Sequence, residues 1–244
     1  YLARCNRELE VNSAASRSSW MEAVNATSNN GESLFTLARM ALQWGWDNEA
    51  ADALWQAVSK SNRSSEALGA LDRFYFAKRN TEGLYRVYSL MLDRNPGDPA
   101  VRNNFAVFCL LLDKNKEHAV GVARELHEKD PASAVYASTY ALGLFCVGQT
   151  AQALEVMQAL KPEALRDPSI AAYYSGFLAA AGREEEAKTY RARARGASLL
   201  PEEAQLLRIP VGEEAAQAVE AAPVPQPVLA PEVPAAATSG TPGL

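Results

Sequence analysis

One spacing recurs along the chain: a small residue, a glycine seven positions later, and an alanine five beyond that. It occurs as Ala38-Gly45-Ala50, Ala141-Gly148-Ala153 and Ser175-Gly182-Ala187, the last two sets being offset by 34 at all three positions. Two looser copies lie between them, Leu71-Lys78-Gly83 and Ala106-Asp113-Ala119, the latter with one extra residue near Lys114. The anchors 38, 71, 106, 141 and 175 are thus separated by 33, 35, 35 and 34 residues. A unit of this length cannot bury a core alone, so a chain built this way is expected to stack neighbour on neighbour.

Each unit reads as two antiparallel helices. Tyr140, Ala141 and Leu144 fall at helical spacing before Gly148, and Ala153, Leu154, Met157 and Leu160 do so after it. Gly45, Gly148 and Gly182 suit the left-handed residue that closes a first helix. Asp47, Asn80 and Thr150 are expected as N-caps of second helices. Asp98-Pro99, Asp130-Pro131 and Asp167-Pro168 mark the joints, with Asp as cap and Pro at the first helical position. No segment alternates as a strand does. The expectation is an all-α chain in which Ala or Ser at the crossings lets the backbones approach, with Leu37, Phe74, Phe105, Tyr140 and Tyr174 interlocking around them.

The pattern resembles the tetratricopeptide repeat family, and in overall style its bacterial members. The match covers about residues 1–200, strongest at Ala38, Ala141 and Ser175 and weakest at Leu71, where Lys78 stands at the turn glycine. The family's first-helix Trp is absent, its place being held by Leu34, Ala67, Arg102, Ala137 and Ala171. The resemblance implies a right-handed α-solenoid of helix-turn-helix units at about 31–63, 64–97, 98–132, 133–166 and 167–200. It also implies a truncated unit in 1–30, since Leu2-Ala3-Arg4 matches Leu37-Ala38-Arg39. An anchor or leader upstream of Tyr1 fits that reading, and the compartment, cytoplasmic or periplasmic, is left open.

Leu199-Leu200-Pro201-Glu202-Glu203 starts a short capping helix, 201–209, whose Leu206, Leu207 and Ile209 are expected to cover the last unit's exposed face. Residues 210–244 hold 7 of the 13 prolines, four Glu and no Lys or Arg. Such a stretch cannot bury a core and is expected to be a disordered Pro/Ala-rich tail.

Chemistry-bearing patterns are scarce. The net charge of −5 lacks the basic excess of a broad nucleic-acid footprint. No run approaches the ~18 apolar residues of a membrane span. His118 and His127 have no cysteine or carboxylate cluster at metal spacing, so neither a metal nor another cofactor is expected. Cys5, Cys109 and Cys146 read as reduced, buried thiols. No oxyanion site or phosphate loop is legible, so the chain is expected to be non-enzymatic.

The resemblance places function on a concave groove lined by first helices, which binds a protein or peptide segment. Carried over, the lining is Phe35, Arg39 and Gln43; Asp72 and Tyr75; Asn103, Val107 and Leu110; and Ser138, Leu142 and Phe145. Asn103 and Ser138 suit hydrogen bonds to a partner backbone, and Leu110, Leu142 and Phe145 suit apolar side chains. The alternative is a structural spacer or regulatory arm holding an upstream domain, in which case these residues only pack between helices.

Overall fold

The small residues that recur through the sequence sit where helices cross, and they are sealed: Ala38 and Ala141 are 0 % exposed, and Ala106 is 1 % exposed. The computed structural model describes residues 3–4, 13–27, 29–60 and 64–209. Cys5 and the Pro/Ala-rich tail lie outside them. Among the described residues the chain is helical throughout, with no strand. A first helix, α1 (Ser13–Thr27), is followed by five pairs. These are α2 (Gly31–Gln43) with α3 (Asp47–Lys60), α4 (Ser64–Ala77) with α5 (Thr81–Arg94), and α6 (Pro99–Leu111) with α7 (Lys116–Lys129). The last two are α8 (Ala134–Cys146) with α9 (Thr150–Gln158), and α10 (Pro168–Ala180) with α11 (Glu184–Arg193). A short α12 (Pro201–Leu206) ends the described chain. From α1 to α11 each helix packs on the next, and the first helices α6, α8 and α10 also touch in sequence, which is the stacking of an α-solenoid.

The turns obey the expected chemistry in three pairs. Gly45, Gly148 and Gly182 have φ of 70°, 81° and 77°, a region in which a side chain is costly. The second pair departs from the register expected of it. Asn80 N–H donates to Tyr75 O, as Trp46 N–H does to Ala41 O, so Arg79 (φ 49°) and not Lys78 takes the left-handed position. The crossing residue seven before it is therefore Asp72, not Leu71. A carboxyl group at that place is half-buried and bonds the Tyr88 hydroxyl, which also accepts from Asn104 Nδ2 at 3.1 Å. Burial pushes Asp72 above the ordinary carboxylate range. In the third pair the extra residue is absorbed by two left-handed positions, Asp113 (φ 56°) and Asn115 (φ 46°).

The caps also sort themselves. Asn80 accepts from Gly83 N–H as expected, whereas Asp47 and Thr150 are the first residues of their helices rather than caps. Asp98 and Asp167 each accept two backbone N–H groups ahead of a proline at the helix start. At the third joint the cap of α8 is Ser133, because Asp130 still closes α7 and Pro131 lies in the turn.

Aromatic contacts fill the spaces left by the small residues. Trp46 meets Trp20 edge-on at 5.9 Å and Trp44 at 5.1 Å, and Trp55 Nε1 donates to the Tyr75 hydroxyl at 2.9 Å. The charge runs are surface pairs: Glu184 with Arg191, Glu185 with Lys188, and Asp113 with Lys116. His118 is exposed, while His127 is half-buried and stacks on Tyr140 at 5.5 Å.

Two glycines in this scaffold predict opposite outcomes for one substitution. A Cβ on Gly83 would overlap the Tyr75 ring, which is 8 % exposed and held by Trp55. Gly83→Ala is expected to cost about 1–3 kcal/mol through overpacking, which outweighs the gain of up to ~1 kcal/mol in helix propensity. A Cβ on Gly121, in the middle of α7, meets nothing within 4 Å. Gly121→Ala is expected to stabilise by up to ~1 kcal/mol. Thermal unfolding of the two variants checks both signs.

Candidate functional site

The equivalent positions of the first helices form one series along the array, and its two ends differ in burial. At the N-terminal end Arg39 and Gln43 are exposed and Phe35 is half-buried. Farther along, Val107 and Phe145 are half-buried, while Asn103, Leu110, Ser138 and Leu142 are buried. Ser138 Oγ donates to Val135 O at 2.9 Å, within its own helix. Asn103 Nδ2 donates to Asn104 Oδ1 at 3.4 Å, and Asn103 Oδ1 is buried with no partner among the described residues.

The one-residue shift of the second pair moves its lining. Asp72 bonds Tyr88 on α5, and Tyr75 is buried against Trp55, so both belong to the packing between helices. The positions equivalent to Asn103, Val107 and Leu110 are instead Gly69, Arg73 and Phe76. Arg73 and Phe76 are exposed. Sequence reasoning missed them because neither Lys78 nor Arg79 marks the turn as glycine does. Counting back from the cap Asn80 would have placed it.

At the C-terminal end the face is occupied by the chain itself. In α10 every residue from Ile170 to Leu178 is buried, although α10 belongs to the last described pair and has no following pair beside it among the described residues. A helix buried all round needs cover on every side. The chain after α11 supplies it. A Cβ on Gly176 would meet Leu207 Cδ2 at 2.7 Å, so that bare position seats Leu207. Gly176 is the equivalent of Leu142 and Val107. Leu206 and Ile209 pack on the same cluster. The segment reaches farther than the expected cap, because Leu200 joins the core of the N-terminal half and α12 packs on α6.

Polar contacts pin its first five residues. Arg79 Nη1 donates to Leu199 O at 2.9 Å, and Thr81 Oγ1 bonds a Glu202 carboxylate oxygen. The Tyr173 hydroxyl donates to Glu203, whose other oxygen accepts from Leu200 N–H at 2.6 Å. Residues 199–209 thus run across the first-helix face from the last pair to the turn of the second. Glu203 is 9 % exposed, and burial holds its carboxyl above the ordinary range against the hydrogen bonds from Tyr173 and Leu200, while Glu202 raises it further. Burial likewise pushes Tyr173 well up.

Neither described thiol is prepared as a nucleophile. Burial pushes the Cys109 and Cys146 thiols up to about 11, so both are neutral near pH 7. No group of three or more His, Cys, Asp or Glu at metal-binding spacing exists among the described residues. No described helix is long and apolar enough to cross a membrane.

Stacked helix pairs with left-handed turn residues and small residues at four of five crossings define an α-solenoid built for contact along an extended face. A tetratricopeptide repeat family model matches residues 40–197, and the chain belongs to the tetratricopeptide repeat family. Several solved structures are similar to the chain. A tetratricopeptide repeat protein from Parabacteroides merdae is 16 % identical, with 85 % of this chain and 80 % of that one covered and a TM-score of 0.51. A thermophilic repeat protein of Thermus thermophilus is 17 % identical over 78 % and 99 % (TM-score 0.47). MamA from Desulfovibrio magneticus is 14 % identical over 68 % and 93 % (TM-score 0.49). No curated protein sequence matches the chain.

Glu203 gives the docked segment a pH dependence of known sign. Its carboxyl is raised in the docked state, so its contribution is fully present below about pH 4.5 and is lost as the pH rises through the raised value. Tyr173 and Glu202 are the titratable groups facing it. Glu125 runs the other way: Arg102 and then Lys129 hold it at about 2, so its contribution is lost only as the pH falls from 4.5 towards 2. Amide protection in α10 and α12, corrected for intrinsic exchange, is therefore expected to decrease from pH 4.5 to 7. Glu203→Gln is expected to flatten the profile.

Proposed function

We propose that the chain is a non-enzymatic module that captures a protein or peptide segment on its concave first-helix face, within a larger protein. The observation that carries this reading is that the face already holds a peptide: residues 199–209, seated by a bare glycine, an arginine and two hydroxyl groups. Such a surface recognises by shape, by backbone hydrogen bonds and by a few charges. The open N-terminal end, with Phe35, Arg39, Gln43, Arg73 and Phe76, is where a partner first engages. Asn103, Val107, Leu110, Ser138, Leu142 and Phe145 form the floor beyond it. Arg39 and Arg73 suit an acidic partner, and the net charge of −5 disfavours nucleic acid.

A spacer reading draws on a different observation. The bonds from Arg79 and Thr81 to residues 199 and 202 tie the second pair to the end of the array, as a rigid arm requires.

Charge reversal separates the two. Arg39→Glu with Arg73→Glu alters exposed side chains, so stability should change by no more than about 0.5 kcal/mol for each. Partner capture from a lysate, read by mass spectrometry, is expected to fall with helicity unchanged. Equal capture by both forms moves the site off this face.

A further inference from the structure

We infer that residues 199–209 are an internal ligand that gates the concave face, and that the partner they hold out is a peptide of like chemistry. Its features are adjacent leucines, paired carboxylates within the next three residues, and a further leucine one helical turn on. The inference rests on the capture reading above and adds to it a regulatory state and a partner class.

The receptor side departs from the repeat at two of the places where the segment touches it. The turn position that is Gly45, Gly148 and Gly182 in three other pairs is Arg79 in the second, in a left-handed conformation that costs a non-glycine residue about 1–2 kcal/mol. Its guanidinium donates to Leu199 O. The face position that is Arg39, Arg73, Val107 and Leu142 elsewhere is Gly176 in the last pair, and Leu207 fills the space. Helix pairing needs neither departure; a docked peptide needs both.

The bound side is built to leave. α12 has six residues and hangs from α11 by residues 194–200, which form no helix. A helix this short is marginal in water, so its structure depends on docking. Several polar contacts here involve Glu202 or Glu203, and burial of Glu203 disfavours its charged form. The closed face also keeps an unfilled acceptor, since Asn103 Oδ1 on α6, the helix under α12, is buried without a partner among the described residues. A competing segment that supplies a backbone N–H there gains a bond the internal ligand does not make. While the segment is docked, apparent affinity is the intrinsic affinity reduced by the open fraction.

The test uses the full chain and a fluorescent peptide with the sequence of residues 198–209. The gate is opened by Leu200→Asp with Leu207→Asp, or by Glu202→Lys with Glu203→Lys, which spares the apolar core should the first pair lower the helicity. Either opened chain is expected to bind the peptide at least about tenfold more tightly than the unaltered chain. A peptide carrying both Glu→Lys changes is expected to bind neither. Equal binding to opened and unaltered chains overturns the gate, as does no binding to either opened chain. Sedimentation showing dimers that exchange the segment between copies overturns it too. If the peptide binds the opened chain while Arg39→Glu with Arg73→Glu leaves partner capture unchanged, the gate stands and the capture reading falls. The reverse pattern keeps the capture reading and removes the gate.

Discussion

A helix pair of about 34 residues buries too little apolar surface to stand alone, and the whole molecule follows from that shortage. Stability must come from pair on pair, which requires backbones close enough for larger side chains to interlock. Ala38, Ala106, Ala141 and Ser175 permit this at four crossings. The fifth holds Asp72, and a carboxyl group there is tolerated because the Tyr88 hydroxyl meets it and Asn104 meets Tyr88. An apolar crossing has become a polar one without loss of the stack.

Stacking solves the problem for every pair except the last. α10 carries Ile170, Tyr173, Phe177 and Leu178, and among the described residues no following pair covers it. An outward polar face would have been one solution. This chain uses another: it brings Leu199, Leu200 and Leu207 back over the first helices. That choice couples a stability requirement to the proposed binding face, since the segment that finishes the core lies on the surface that recognition would use. Carboxylates rather than more leucines anchor its middle. Burial holds the Glu203 carboxyl above the ordinary range, so the docked position disfavours its charged form.

The period, the all-helical class and the turn glycines were legible because each has a local cause. A left-handed turn needs glycine, and a close crossing needs a small side chain. The second pair reads one residue out of register for the same reason: Arg79 bears the left-handed strain, and Asp72 replaces the small residue, so neither carries its usual signature. The shift transferred Asp72 and Tyr75 from the face to the packing and brought Arg73 and Phe76 out. Residues 199–209 were legible as a leucine-rich, acidic helix start. Their path was not, because it depends on Arg79 and Thr81, more than a hundred positions away in the chain.

The burial gradient along the first helices then has a single cause. In an open solenoid every pair presents its equivalent face positions to solvent, so Arg39 and Leu142 would differ only in side chain. Here the N-terminal positions are exposed and α10 is buried all round. Composition does not account for the contrast, since Gly176 would be the barest position of all if its surroundings were empty. It is filled by Leu207, four residues beyond the glutamate that Tyr173 holds. The leucine lodged at Gly176 lies just past the end of α12, one helical turn beyond the carboxylate held by Tyr173, so under the proposed gate a single displacement of α12 would release both.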